Sequence, residues 1–373
     1  MFYHILLTDD CNLCCRYCRG KSFENHGTCE GPEIKIDEDL PADLDVDLNE
    51  VYEFLSMDPG AVLTFYGGEP LMRPDLVRRI VTEAPVSRFM IQTNGLLLNQ
   101  VEPHVINTLE TILVSLDGPE QVTDRNRGAG TFRKVMDNLR AVRENGYTGE
   151  LIARITVDEG NDIFESVTYL ADNEEFPFSS IHWQIDANFW SDFDARNFEA
   201  WVEESYNPGI TRLVDSWLTR IRDTGKVPRW YPFLDPVEDL LYGRASRLRC
   251  GAGYANYSIM TDGSIAACPV MVGMKEYYLG HICHSDPLML PTLPIGGRCI
   301  DCEILAFCGG RCLYSNLTRP WTDEQADILC STIRHLYRRL TAAMPEIAGM
   351  LERGRIVPED LSHTKYNGCE IIP

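Results

Sequence analysis

Ten of the fourteen cysteines in this 373-residue chain stand at spacings suited to holding iron and sulfide. Cys11, Cys15 and Cys18 form a CX3CX2C group, and a second group runs from Cys250 through Cys268 to the tight block Cys299, Cys302, Cys308, Cys312 and on to Cys330. A 4Fe-4S cube has four irons and ordinarily takes four thiolates, so a set of three leaves one iron with an open coordination position. An open position is where a metal centre does chemistry, and the first group therefore reads as part of an enzyme, not only of an electron carrier. Zinc is the plainer alternative, but it calls for a fourth ligand and favours CX2C pairs. Cys14 lies inside the first group but out of its register and is expected not to be a ligand. Cys29, Cys283 and Cys369 carry no assignment from spacing.

Such residues need a scaffold, and the first half of the chain supplies one. From Ile5 to Asp186 short apolar runs alternate with helix-like segments, as stacked βα units do. The runs predict strands at Tyr3–Thr8, Ala61–Tyr66, Arg88–Thr93, Thr111–Leu116, Leu151–Val157 and Ile181–Asp186. Helices are expected near Leu48–Ser56, Asp75–Thr82, Val101–Leu109, Phe132–Glu144 and Phe164–Asn173. The fold class is α/β, an open, partial (β/α)6 TIM-like barrel. In parallel sheets the C-terminal strand ends line the active face, and Cys11 directly follows the first strand. The segment Cys18–Pro41 reads as loop. Ile210, Leu213, Val214, Trp217, Leu218 and Ile221 repeat at helical spacing after Pro208-Gly209 and predict an amphipathic linking helix. The Gly-, Pro- and Cys-dense stretch 227–330 is expected to need metal to hold it together. A helix over 322–340 and a tail without chemical signal follow. The expected domains are 1–225, 226–335 and 336–373.

Composition narrows the function. Apolar residues make up 44% of the chain, and no run of about 18 apolar residues suggests a membrane span. The opening MFYHILLT is too short and uncharged for a secretory signal. Net charge is −22, from 56 acidic against 34 basic residues, which disfavours nucleic acid and anionic membranes as partners. Many cysteines without a secretory signal point to metal ligands in a reducing cytoplasm, not to a disulfide framework.

The CX3CX2C group, with aromatic Tyr17 before its last cysteine, resembles that of the radical S-adenosylmethionine enzymes. Further stretches match that family in order: Gly67-Gly68-Glu69-Pro70 after the second strand, Gln92-Thr93-Asn94-Gly95 ending the third, Ser115-Leu116-Asp117-Gly118 ending the fourth, and Arg154 in the fifth. The resemblance covers about residues 3–186. It implies that the open iron chelates the methionine amino and carboxylate groups of S-adenosylmethionine. Glu69 would then accept from the ammonium beside the Gly67-Gly68 backbone, and Arg154 would fork onto the carboxylate. Ser115 and Asn94 would bond ribose or carboxylate, with Tyr17 near the adenine. The implied reaction is one-electron cleavage to methionine and a 5′-deoxyadenosyl radical, which removes hydrogen from the substrate.

The second cysteine group is similar to the seven-cysteine SPASM domain over about residues 240–335. By that resemblance Cys250, Cys268 and Cys312 hold one auxiliary 4Fe-4S cluster, and Cys299, Cys302, Cys308 and Cys330 hold another, making three in all. Residues 240–249 contain no cysteine, so the first auxiliary cluster is left with an open iron or recruits Cys283 or another ligand. Pro269 stands where sulfatase-maturing relatives carry an acidic base, which disfavours a sulfatase-type oxidation. Relatives of this kind imply a peptide substrate that gains a thioether or carbon–carbon link. They also imply a low-potential donor such as ferredoxin or flavodoxin. Because the motif starts at residue 11, a separate peptide-recognition protein is expected, or direct barrel contacts; His182, Gln184 and Asp186 are candidates for these. Tetrapyrrole propionate decarboxylation is the alternative reaction. A multi-cluster electron-transfer protein is the non-enzyme alternative, and it leaves the GGEP, TNG and SLDG stretches unexplained.

Overall fold

The computed structural model describes residues 1–18, 32, 34–186 and 193–367. Cys29, Cys369, and residues 19–31 and 33 of the expected loop lie outside the described residues. The strands are β1 (Phe2–Leu6), β2 (Val62–Tyr66), β3 (Arg88–Thr93), β4 (Leu109–Ser115), β5 (Glu150–Val157), β6 (Ser180–Ile185), β7 (Arg229–Trp230), β8 (Asn256–Ile259), β9 (Ser264–Ala266) and β10 (Tyr278–His281). They form one sheet in the order β10-β9-β8-β1-β2-β3-β4-β5-β6-β7. From β8 across to β7 every pairing is parallel, and only β8-β9-β10 run antiparallel. This is the α/β partial barrel that the alternation implied. Strands such as LETILVS are buried nearly throughout because helices cover one face and the barrel interior the other.

The helices are α1 (Leu48–Ser56), α2 (Pro74–Glu83), α3 (Pro103–Ile106), α4 (Glu120–Arg127), α5 (Thr131–Glu144), α6 (Ile163–Ala171), α7 (Phe198–Trp201), α8 (Asn207–Thr224), α9 (Tyr231–Tyr242), α10 (Leu305–Cys308), α11 (Leu313–Thr318) and α12 (Asp323–Glu352). Asp47 starts α1 by accepting from the Asn49 amide at 2.9 Å, and a Thr322/Gln325 capping box starts α12. The expected helix Val101–Leu109 is shorter than its periodicity suggests. Pro103 sets its first turn, it ends at Ile106, and Leu109 already belongs to β4. Helix α4, polar in sequence but for Val122, was not foreseen. Pro208 lies inside α8 and not before it, because a π-turn over Val202–Tyr206 runs into that helix. Helix α12 passes Leu340 and Pro345 and ends at Glu352.

The barrel interior is graded along its axis. Phe2, Val62, Met90, Leu113 and Ile152 form an apolar floor with Tyr231. Two or more residues further along the same strand faces stand His4, Tyr66, Gln92, Ser115, Arg154, His182 and Gln184, a polar tier at the C-terminal ends. The outward face, with Tyr3, Ile5, Phe65, Ile91, Val114, Ile155 and Trp183, packs on the helices in the main core.

The barrel sheet itself holds the cysteine-rich stretch. Strand β8 pairs with β1 in register Phe2↔Asn256 to Ile5↔Ile259, so the stretch continues the barrel sheet. The tail also packs: Tyr366 sits edge-on to Phe2 at 5.9 Å, and its carbonyl accepts from Asn256 Nδ2 at 3.3 Å. Among the described residues no helix is long and apolar enough to cross a membrane.

His4 ties the two halves, its Nδ1 lying 2.9 Å from Asn256 Oδ1. Burial lowers its pKa from the ordinary 6.5 to about 4, so it is neutral near pH 7. As pH falls below 6.5, the unfolded chain takes the proton first, so stability is complete above that value and drains away towards pH 4. Wild type minus His4→Gln should therefore show a stability difference that falls by about 3 kcal/mol across this window in denaturant titrations. Parallel pH profiles would refute the assignment.

Candidate active site

The chain leaving β1 crosses the end of β2, and two glycines let it do so closely. The Gly68 amide donates to Thr8 O at 2.8 Å and the Glu69 amide to Asp10 O at 2.8 Å. A Cβ at Gly67, whose φ is +139°, would stand 2.2 Å from Thr8 O, and one at Gly68 would stand 2.3 Å from the carbonyl oxygens of Asp9 and Asp10. The GG pair thus seats the backbone that enters the cysteine group, a steric requirement separate from any contact with a cofactor.

Glu69 points inward and is 1% exposed. Its Oε1 accepts from Thr93 Oγ1 at 2.7 Å and the Leu71 amide at 3.0 Å, and its Oε2 accepts from the Asn94 amide at 2.7 Å. Burial nevertheless raises its pKa, against the downward pull of these donors. The carboxyl therefore fastens the ends of β2 and β3 together. Asn94 reaches the loop from the other side, donating to Asn12 Oδ1 at 2.7 Å and lying 3.9 Å from Cys11 Sγ.

Cys11, Cys15 and Cys18 face one another electrostatically and are not joined in disulfides. Burial, and the neighbouring thiols of Cys18 and Cys11, help push the Cys15 thiol up to about 11, against a downward pull from Arg127. Burial raises the Cys11 thiol as well, and a cationic metal centre among the three cysteines would stabilise their thiolates. The donor set fits a 4Fe-4S cluster with an open vertex. Cys14 is exposed.

Arg154 stands in the polar tier, with Nη2 3.0 Å from Gln184 Oε1 and Nη1 on Gln92 Oε1. Among the described residues its hydrogen-bond partners are these amide oxygens and no carboxylate, so its charge is oriented but not neutralised. Ser115 pairs with Arg154 in the β4–β5 register. Of the expected substrate contacts, Gln184 is engaged with Arg154, His182 is fully buried, and Asp186 is ion-paired with Arg196 at 3.0 Å.

Sequence reasoning missed His4, Tyr66 and Arg127. Tyr66 packs edge-on to His4 at 5.3 Å, and its neighbours include Arg154, Cys268 and Cys18. Strict alternation in β1 and β2 puts both inside the barrel and was the available signal.

In the second group, Cys268 neighbours Cys312 and Cys250, while Cys330 and Cys299 neighbour Cys308, and Cys302 neighbours Cys299. Burial, with these thiols, pushes Cys308 up to about 12 and Cys268 higher still. Cys283 sits elsewhere, exposed and beside Glu50 of α1.

The structure thus sets the three thiols of the CX3CX2C group at the C-terminal mouth of a parallel partial barrel. Residues 5–165 match the profile of the Radical SAM superfamily, and the chain carries a radical SAM domain. A domain of that superfamily implies S-adenosylmethionine and a 4Fe-4S cluster. The chain is 23% identical to the serine-type anaerobic sulfatase-maturating enzyme of Bacteroides thetaiotaomicron, over 90% of this chain and 87% of that one. Its fold matches the structure described as native anSMEcpe with bound AdoMet and Kp18Cys peptide, at TM-score 0.69 and 17% identity, over 93% of this chain and 99% of that one. It also matches Streptococcus suis SuiB bound to precursor peptide SuiA, at TM-score 0.52 and 16% identity, over 83% and 71%.

A methyl group at Gly68 has nowhere to go but into the loop backbone. Gly68→Ala should cost about 1–3 kcal/mol in thermal unfolding and lower iron per chain by about 4 after anaerobic reconstitution. Unchanged iron would show that the close approach does not seat the loop.

Proposed function

We propose that Cys11, Cys15 and Cys18 hold the 4Fe-4S cluster, that its open vertex takes the methionine end of S-adenosylmethionine, and that the substrate is a peptide. When bound, the pair supplies one-electron cleavage to a 5′-deoxyadenosyl radical, a hydrogen-atom abstractor. The observation that carries the reading is the convergence of three thiols over a tier whose one arginine, Arg154, lacks a carboxylate partner among the described residues. Arg154 is oriented by Gln92 and Gln184 to fork onto the cofactor carboxylate, with Ser115 beside it. Asn94 bonds the methionine or ribose end from the loop side. Glu69 braces the Gly67-Gly68 turn, and its Oε2, which takes one protein donor, keeps acceptor capacity for the ammonium. Tyr17 would face the adenine side of the bound cofactor. The apolar floor of Phe2, Val62, Met90, Leu113 and Ile152 keeps water from beneath the reacting atoms.

Cys250, Cys268 and Cys312 would hold the first auxiliary cluster, and Cys299, Cys302, Cys308 and Cys330 the second. With Cys283 beside α1, the first is left with three thiolates and a position for a substrate thiol. A peptide is supported by the related folds solved with bound peptides. Thioether or carbon–carbon linkage is the modification we assign. Electrons would come from a ferredoxin or flavodoxin.

Anaerobically reconstituted chain should bind about 12 irons and form 5′-deoxyadenosine with dithionite. Cys15→Ala should lose about 4 of these irons and essentially all cleavage. Cleavage undiminished in that variant would overturn the assignment. A small peptide encoded beside this chain should lose two hydrogens by mass spectrometry; cofactor cleavage without any peptide change would remove the peptide reading alone.

A further inference from the structure

A fully buried ion pair lies directly behind the N-terminal cysteines, and the proposed reaction leaves it without a task. Asp117 follows β4 in the SLDG stretch, and Arg127 is the last residue of α4. Gly128, at φ +114°, ends that helix by donating its amide to Asp124 O, which turns the chain away just after the arginine. Arg127 is 7% exposed and Asp117 0%. The guanidinium meets the carboxylate with both edges matched, Nε to Oδ2 at 3.0 Å and Nη2 to Oδ1 at 3.0 Å. Asp117 Oδ2 also accepts from Tyr17 OH at 2.7 Å, and Oδ1 from the Thr156 amide at 3.1 Å, so each oxygen takes two donors. The guanidinium carbon stands 5.3 Å from the centroid of the Tyr17 ring. One residue earlier the Arg16 amide donates to Asn126 O at 2.9 Å, so α4 holds the cysteine loop at two consecutive residues.

Stability does not account for this arrangement. Removing two charges from water costs about as much as their attraction returns, and an apolar pair of the same volume is often as stable or more so. What an apolar pair lacks is direction. Tyr17 lies between Cys15 and Cys18, so fixing its ring fixes the spacing of the last two thiols. The hydroxyl is committed to Asp117, which leaves the ring no freedom to turn. The pair is also not symmetric about the loop: the guanidinium lies against the ring of Tyr17, the residue just before Cys18, whereas Asp117 reaches only the hydroxyl at that ring's tip.

We propose that Arg127 and Asp117 form a positioning pair for the N-terminal cluster, the guanidinium holding the Tyr17 ring and placing its positive charge beside the cysteine loop while Asp117 holds the guanidinium. The inference rests on the cluster assignment made above. A reduced cluster carries one more negative charge, so a nearby cation favours reduction and a nearby anion opposes it. The two partners should thus act on the potential with opposite sign.

The test is the midpoint potential of the S-adenosylmethionine-responsive cluster, followed by its electron paramagnetic resonance signal in the full chain. Arg127→Gln should lower the reduced-to-oxidised ratio at fixed potential by about tenfold, a shift of about 59 mV to more negative values. Asp117→Asn should shift it to less negative values, and Arg127→Lys should restore most of what Arg127→Gln loses. A merely structural role would move both neutralising variants the same way or neither. If Arg127→Gln does not fold, Asp117→Asn and Tyr17→Phe carry the test, since the first must raise the potential while the second leaves the charge in place and must change it much less. A responsive cluster whose potential ignores Asp117→Asn overturns this proposal alone. A wild-type chain with no cluster that responds to S-adenosylmethionine overturns the functional reading and this proposal with it.

Discussion

The close approach of the Gly67-Gly68 turn to the Thr8–Asp10 backbone is the constraint from which the site follows. No side chain fits between the two segments, so β2 can end against the loop leaving β1 with both amides bonded across the gap. That contact puts Glu69 on the inside, where water cannot solvate it, and the chain meets the cost with three protein donors. Hydrogen bonds to a charged group contribute about 1.5–3 kcal/mol each, comparable in sum with the several kcal/mol needed to bury a carboxylate. One steric fact in two glycines is thereby converted into a rigid link between β1, β2 and β3. Asn94 then extends the link to Cys11 itself.

The opposite edge of the barrel is held by a different means. Pairing of β8 with β1 makes the cysteine-rich stretch part of the sheet, so Cys250 before β8 and Cys268 after β9 arrive at the barrel edge through backbone geometry. His4 and Asn256 bond across that seam, and Tyr66 stands beside His4 with thiols of both cysteine groups among its neighbours. The sheet is thus an organiser of this stretch beside the metal that its composition was expected to need. Short strands such as NYSI and SIA are hard to read among glycines and prolines, because three or four residues show too little alternation to stand out.

What was legible follows the range of the signal. Strand positions in the first half were clear because apolar runs repeat with the βα period. The cysteine groups were clear because their spacing is local. Helix α4 was illegible by periodicity: EQVTDRNR has a single apolar residue, and the face it buries consists of Thr123, Asn126 and Arg127. The misreading at Val101–Leu109 had the converse cause, since Val101, Val105, Ile106 and Leu109 share helical spacing although Leu109 is buried in a strand. His4, Tyr66 and Arg127 depend on partners far away in the sequence, 252 residues in the case of His4 and Asn256, and no local pattern encodes such a pairing.

The graded interior explains how a strongly acidic chain can host anionic groups. Net charge governs encounter and solubility, but what a bound group feels is the lining of its own pocket, where low dielectric magnifies each nearby charge. In that lining Arg154 is held by two neutral amides, so it is fixed in direction while its full charge remains available. Glu69 and Asp117, two buried acids beside the cysteine loop, instead take several protein donors. Buried acids near the site thus brace the scaffold through several donors, while its arginine, held by amide oxygens, is oriented without a carboxylate partner among the described residues.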